Sequence, residues 1–371
     1  MPSNIQMEKI GKLGFGFMRL PRKGDGFDLE QINKMVDKFI ESGGTYFDTA
    51  FVYEGAEVAM RETVIKRHPR DKVQIATKLN LNFVEKPEQL EEQFNTSLER
   101  LGTDHIDFYL LHGLNSMTSK KAEELGAWTF LAGLKEKGLI DHIGFSFHAP
   151  PTDLDEILSN HPEAEFVQIQ LNYLDWNSPK VQSRGMYEVA RKHNVPVIVM
   201  EPIKGGMLTG DDSPIAGLLR EANPNASMAS WALRFAAQLE GVFVTLSGMS
   251  SYEQLADNVS TFADFKPLSD EEQAVLVKAV GIFDSVPRIP CTSCRYCVND
   301  CPSKIMIPMM FDVYNNYLVY NTTTNLDHNY RMFTRNNGKA GDCIACRVCE
   351  SICPQKLEIA DTMAKISALF D

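Results

Sequence analysis

From Leu13 onward, short apolar runs alternate with longer segments whose apolar positions recur every three or four residues. The short runs read as strands covered on both faces, and the longer segments as helices with one apolar stripe. Eight strands are predicted: Leu13–Met18, Tyr46–Ala50, Gln74–Leu79, Asp107–His112, Ile143–Phe147, Val167–Asn172, Pro196–Glu201 and Gly241–Leu246. Helices are predicted over Leu29–Glu41, Pro87–Leu101, Lys120–Lys137, Lys180–His193 and Met228–Leu239. Eight such units within about 260 residues is the length of an α/β protein of the (β/α)8 TIM-barrel class. A doubly wound open sheet is the other candidate. It would want a Gly-rich phosphate loop after the first strand, and Gly14-Phe-Gly16-Phe-Met-Arg lacks the third glycine.

The pattern changes after Pro290. All eight cysteines fall in two runs, Cys291-x2-Cys294-x2-Cys297-x3-Cys301-Pro and Cys343-x2-Cys346-x2-Cys349-x3-Cys353-Pro. This spacing lets three thiolates close on one iron–sulfur cube while the fourth reaches a neighbouring cube. Cys291, Cys294 and Cys297 are therefore expected to share one [4Fe–4S] cluster with Cys353, and Cys343, Cys346 and Cys349 the other with Cys301. Structural zinc would want two C-x2-C pairs on a longer loop, and a disulfide framework would want an oxidising compartment. The segment from Cys291 resembles a bacterial-type two-cluster ferredoxin with 41 extra residues, 302 to 342, between its halves. That insert is expected to carry helices of its own, one over Met309–Val319.

Composition narrows the partners. The 371 residues are 44% hydrophobic and 23% charged, an ordinary globular balance, and the net charge of −12 argues against a nucleic-acid partner. Residues 291–371 hold eight Lys+Arg and eight Asp+Glu, so the first 290 hold 37 − 8 = 29 against 49 − 8 = 41. No apolar stretch approaches the ~18 residues of a membrane helix, and the first thirty residues do not resemble a secretory signal. A cytoplasmic protein without a membrane partner is the expectation.

In a barrel of this kind the chemistry sits at the C-terminal ends of the strands. Asp48 ends the second strand, Tyr53 lies in the loop after it, Lys78 ends the third strand and His112 the fourth. Singly, each has a bland reading: a capping Asp, a half-buried Tyr, a snorkelling Lys, a satisfied core His. Together they form one constellation. A Tyr beside an ammonium that is paired with an Asp can act as general acid near neutral pH.

With Phe47-Asp48-Thr49-Ala50, Tyr53, Lys78, Leu110-Leu111-His112, Ile143-Gly144-Phe145-Ser146, Ser247-Gly248-Met249 and Asp257-Asn258, the barrel resembles an aldo-keto reductase. The whole chain resembles the branch carrying a C-terminal iron–sulfur module. The resemblance implies Tyr53 as proton donor to a small-molecule carbonyl, or acceptor from an alcohol. It implies Lys78 as the residue lowering the Tyr53 pKa, Asp48 as its partner, and His112 as the residue orienting the carbonyl. A nicotinamide cofactor, NAD(H) or NADP(H), would have its carboxamide held by Ser146 and Gln168. Gly205 and Gly206 would wrap the pyrophosphate, and Ser247, Gly248, Gln254, Asp257 and Asn258 would line the remainder. Two departures stand out. Ser146-Phe147 replaces the common Ser-Asn, and Gly248 and Gln254 stand where NADPH-preferring members place Lys and Arg. A 2′-phosphate wants such a basic fork.

Residues 1–265 are thus expected to form the barrel, 266–290 a linker helix, and 291–371 the two-cluster domain. The linker helix is expected over Asp270–Ile282, capped by Ser269 with Glu272 three residues on. Leu114–Thr118 and Trp176 read equally as pocket walls or packing residues. Three roles for the clusters remain open: structural support for a carbonyl reductase, one-electron exchange with a redox partner protein, or part of a nicotinamide-binding sensor.

Overall fold

Eight parallel strands close into a barrel in the computed structural model, which describes residues 5–371. They are β1 (Leu13–Gly16), β2 (Tyr46–Asp48), β3 (Gln74–Leu79), β4 (Ile106–Leu114), β5 (Ile140–Phe147), β6 (Phe166–Gln170), β7 (Val197–Met200) and β8 (Val242–Gly248). Each pairs with its sequence neighbours, and β8 returns to β1. All eight predicted strands are present. β5 starts three residues earlier than its apolar run because Asp141 and His142 interrupt the pattern. Asp141 is exposed there, bonded to His105 at 2.9 Å. The predicted helix Lys120–Lys137 is instead two helices, Ser116–Glu124 and Ala127–Glu136. Gly126, at φ 67°, supplies the left-handed joint between them.

Side chains alternate in and out of a barrel wall with period two. Phe15, Phe47, Ile75, Tyr109, Phe145, Val167 and Val199 face the helices and join the large outer core. Tyr46, Ala76, Phe108, Leu110, Phe166, Ile198, Val244 and Leu246 form a separate cluster, the barrel's interior. Two residues beyond interior positions stand Asp48, Lys78, His112, Gln168 and Gly248. Strand parity alone therefore aims them into the mouth.

The chain divides into two compact units. The residues up to Ile203 with Ala229–Ser269 make the barrel unit, and Lys204–Met228 with Asp270–Asp371 make the second. The helix expected over Asp270–Ile282 runs Asp270–Ser285 and belongs to the second unit. The insert carries two helices, Ile307–Tyr320 and Leu326–Thr334. With the last helix, Ile359–Phe370, they bury Met310, Phe311, Val313, Leu326, Tyr330, Met363 and Ile366 in one core that also takes in Cys297 and Cys353. Asn315 clasps the incoming chain, its amide bonding both Ile289 N–H (2.7 Å) and Ile289 C=O (3.0 Å).

Interior packing leaves no slack at Gly144 on β5, where a β-carbon would lie 2.5–2.6 Å from the Phe166 ring. Gly144→Ala should therefore cost about 1–3 kcal/mol by overpacking, measured as a fall in the denaturant midpoint at unchanged slope.

Candidate functional site

Lys78 is fully buried, and all three ammonium protons find acceptors: Asp48 Oδ1 (2.7 Å), Asp48 Oδ2 (2.8 Å) and the Thr49 carbonyl (2.6 Å). Burial pushes the Asp48 carboxyl upward and the Lys78 charge pulls it back. The net shift of the carboxyl is upward. Tyr53 lies half-buried in the loop after β2, with the Lys78 ammonium 5.3 Å from its ring centroid. His112 stands edge-on to Tyr53, ring centroids 5.9 Å apart at 87°. The four strand-end residues thus converge.

Burial raises the Tyr53 phenol above its ordinary value, with Lys78 opposing as the second largest influence. The expected downward pull exists but does not win in the protein alone. His112 is driven down to about 3 by burial, then by Lys78 and His148, so it is neutral at pH 7. Its Nδ1 has no hydrogen-bond partner among the described residues. The loop carrying Tyr53 is held from behind by the buried Glu57 carboxylate, which accepts from Thr77 Oγ1 (2.8 Å) and Arg100 Nη1 (3.3 Å). Arg100 also donates to the Phe51 carbonyl at 3.0 Å.

Across the mouth, Ser146 Oγ accepts from Gly113 N–H at 2.7 Å, and Gln168 Nε2 lies 3.6 Å from Met200 Sδ. Gln168 Oε1 is buried and has no hydrogen-bond partner among the described residues. An unsatisfied buried amide oxygen beside a serine hydroxyl fits the –CONH2 group of a nicotinamide, which supplies both donor and acceptor. Phe147, which brings no amide to this position, is buried in the outer core. After β8, Ser247 Oγ accepts from buried Asn258 (2.9 Å), so both face the helical ring. Gln254 Oε1 accepts from Ser250 N–H (2.7 Å), and Asp257 is half-buried on the helix Tyr252–Ala263. Gly205 and Gly206 lie in the second unit at φ 63° and 97°, and a β-carbon on Gly206 would meet Thr324 at 3.4 Å. Trp176 packs against Tyr187 and Phe235, while Asn115 and Thr118 cap the helix Ser116–Glu124.

Three mouth residues escaped the sequence reading: Arg19 after β1, Glu201 after β7 and His148 after β5. Arg19 Nη2 reaches Glu201 Oε1 at 3.7 Å. His148 directly follows Ser146-Phe147, which was the available signal for it. The other two carry no local signal, because they meet only when barrel closure sets β1 against β8, the neighbour of β7.

In the second unit, the cysteines sort into two separate cavities. One is lined by Cys301, Cys343, Cys346 and Cys349, the other by Cys291, Cys294, Cys297 and Cys353. Each takes three thiols from one run and the fourth from the other. The backbone repeats as well: Ser293, Arg295 and Lys304 have positive φ, and so do Ala345, Arg347 and Lys356 at the matching places. Left-handed non-glycine residues are costly, and in such turns they bend successive N–H groups around an anionic centre. Burial pushes the Cys297 and Cys349 thiols up to about 11, so these sulfurs need a bound metal to hold them as thiolates. The donor sets fit two [4Fe–4S] clusters.

The aldo/keto reductase family model matches residues 12–280, and a 4Fe-4S dicluster domain model matches residues 290–357. Aldo-keto reductase str7 of Strobilurus tenacellus is 29% identical over 220 residues, 56% of this chain and 62% of that protein, so this chain spans less than two thirds of its length. Methylglyoxal reductase DkgA of Yersinia pestis is 28% identical over 282 residues, 74% of this chain and 94% of that protein. Among solved structures, the holo form of aldo-keto reductase AKR11C1 from Bacillus halodurans superposes with a TM-score of 0.60 at 26% identity, covering 72% of this chain and 92% of that one. An aldo/keto reductase from Klebsiella pneumoniae, in complex with NADP and acetate, shares the fold with a TM-score of 0.60 at 21% identity, covering 73% and 92%. Among the described residues, no helix is long and apolar enough to cross a membrane.

Lys78→Met should remove about 3–5 kcal/mol of stability, because it strands the Asp48 carboxylate in the barrel. Thermal unfolding under anaerobic conditions measures this, and Asp48→Asn/Lys78→Met should recover part of the loss. Cys353→Ala should damage the cluster of Cys291, Cys294 and Cys297 and spare the other. Electron paramagnetic resonance of the reduced protein distinguishes the two, and loss confined to the cluster of Cys343, Cys346 and Cys349 would refute the crossed arrangement.

Proposed function

The chain belongs to the aldo/keto reductase family, and from that premise we propose that its barrel interconverts a small carbonyl compound and the matching alcohol with Tyr53 carrying the proton. The observation behind this is the Lys78 ammonium, bound by Asp48 and set 5.3 Å from the Tyr53 ring. In the direction of reduction, the Tyr53 hydroxyl donates to the carbonyl oxygen, and Lys78 stabilises the phenolate left behind. The upward shift of Tyr53 keeps it protonated at neutral pH, which favours reduction; alcohol oxidation, needing the phenolate, gains as pH rises. Neutral His112 offers the carbonyl oxygen a hydrogen bond without placing a second cation beside Lys78.

When bound, the nicotinamide supplies the hydride. Ser146 and Gln168 would hold its carboxamide, on the strength of the unpartnered Gln168 oxygen. Gly205, Gly206, Gly248, Gln254 and Asp257 stay in this proposal as the wider cofactor contacts, with the mutually bonded Ser247 and Asn258 fixing the strand end and helix that carry Gly248 and Gln254. We retain the functional division at 1–265, 266–290 and 291–371. Cytoplasmic placement is likewise part of the reading. The eight cysteines hold the clusters, which supply single electrons. One exposed thiol at each cavity, Cys294 and Cys346, favours a second reading in which these electrons pass to or from a partner protein.

Tyr53→Phe removes one hydroxyl. Fold, nicotinamide affinity and both clusters should survive, while turnover on a panel of aldehydes and ketones falls by roughly 10²–10⁴. Near-wild-type rates in this variant would overturn the role of Tyr53. A wild type that binds nicotinamide yet reduces nothing on the panel would favour the partner-linked reading.

A further inference from the structure

Arg19 ends the short turn Phe17–Arg19 after β1, and barrel closure places it beside the ends of β7 and β8. Its Cβ, Cγ and Cδ atoms lie 3.4–3.5 Å from where a β-carbon on Gly248 would stand. The space above the end of β8 is thus filled by Arg19, and residue 248 itself contributes no side chain. The Arg19 guanidinium meets Glu201 at 3.7 Å, with about a third of each side chain exposed (33% and 34%). Glu201 is itself held in place. It adopts a left-handed φ of 55°, and its carbonyl accepts from buried Asn172 at 3.1 Å. Ser250 Oγ, in the loop after β8, donates to the Arg19 carbonyl at 2.7 Å and ties the two loops together.

The loops after the seventh and eighth strands of such barrels are where phosphates bind. A carboxylate fixed at the end of β7 would repel a phosphate unless a cation stood beside it. We propose that Arg19 is the residue that receives the pyrophosphate of the dinucleotide, masking Glu201, which holds its guanidinium over the mouth. This rests on the nicotinamide reading above. A guanidinium fork matches two phosphate oxygens. The pyrophosphate is indicated over a 2′-phosphate because the Arg19–Glu201 pair acts electrostatically on the Tyr53 phenol and so lies toward the nicotinamide half of the mouth. The missing Lys and Arg at Gly248 and Gln254 are consistent with this. A cation on the pyrophosphate serves NADH and NADPH alike.

The test is equilibrium binding of NADH and of NADPH to the full-length protein with both clusters loaded, followed by fluorescence at two salt concentrations. Arg19→Ala should weaken both dinucleotides by about 10–100-fold, leave their ratio unchanged and flatten the salt dependence. Arg19→Lys should fall between. Glu201→Gln should tighten both several-fold, and adding it to Arg19→Ala should recover part of the loss, because the repelling carboxylate is gone. Cluster absorbance and melting temperature at wild-type values establish that a variant is folded; should Arg19→Ala fail this, Arg19→Lys and Glu201→Gln carry the test. The proposal is overturned if folded Arg19→Ala binds both dinucleotides as the wild type does, if the loss is confined to NADPH, or if Glu201→Gln gives no gain in either background. A wild type that binds neither dinucleotide overturns the nicotinamide reading and this proposal together.

Discussion

A lysine ammonium with no exposure has three protons to satisfy and no water to satisfy them. Lys78 meets this demand wholly from the end of β2, through both oxygens of Asp48 and the carbonyl of Thr49. The charge on β3 therefore dictates where β2 must end and how its loop must leave. That loop returns through Tyr53, whose N–H bonds to the Ala50 carbonyl at 3.0 Å, and into the short helix Ala56–Met60. Behind it, the buried Glu57 and Thr77 with the partly exposed Arg100 form a second polar set that fixes the same segment. Breaking either set leaves an unpaired polar group in a region with little room to relax, which is why the Tyr53 phenol can be held near the cation without being bonded to it.

Much of this was legible in the residue pattern, and the reason is parity. An apolar run that ends in Asp, Lys, His or Gln has its last polar side chain on the same face as the residue two before it. In a closed barrel that face is the interior. Tyr46 and Asp48, Ala76 and Lys78, Leu110 and His112, and Phe166 and Gln168 all follow this rule. Ser247 breaks the expectation: it lies one residue out of phase with Leu246 and Gly248, turns toward the helices and bonds Asn258. Arg19 and Glu201 were illegible for a different reason. They are 182 residues apart in a 371-residue chain, and nothing local marks either one; they meet because the first strand closes against the eighth. The joint at Gly126 was hidden by the apolar stripe that continues through it.

The cysteine repeat was legible down to its partners. Each run sets three thiols close together and a fourth three residues on, before a proline, a spacing that lets the two runs exchange their fourth thiols, and the two cavities sort the thiols in that way. The sequence could not reveal that the backbone repeats with them. Ser293 and Ala345, Arg295 and Arg347, and Lys304 and Lys356 share left-handed geometry, the first pair with different side chains and the other two with the same one. The repeat is therefore one of main-chain curvature as well as of cysteine, arginine, lysine and proline positions. The segment Lys204–Met228, which belongs to the second unit, carries no cysteine and reads as part of the preceding βα alternation, so its membership could come only from packing.

The two halves of the chain differ in electron count. A hydride moves two electrons to one carbon together, whereas a [4Fe–4S] cluster takes one. Direct exchange between them would pass through a nicotinamide radical, so a wire from cluster to barrel needs a group that accepts two electrons and releases them singly. Flavin is the usual such group, and the sequence carries no flavin motif. The proton chemistry proposed for the barrel, by contrast, rests on Asp48, Tyr53, Lys78 and His112 and on no thiol. The proton chemistry of the barrel is therefore separable from the clusters, and what the clusters contribute must be sought either in the stability of the second unit, whose core includes Cys297 and Cys353, or in electrons exchanged with another protein at the exposed Cys294 and Cys346.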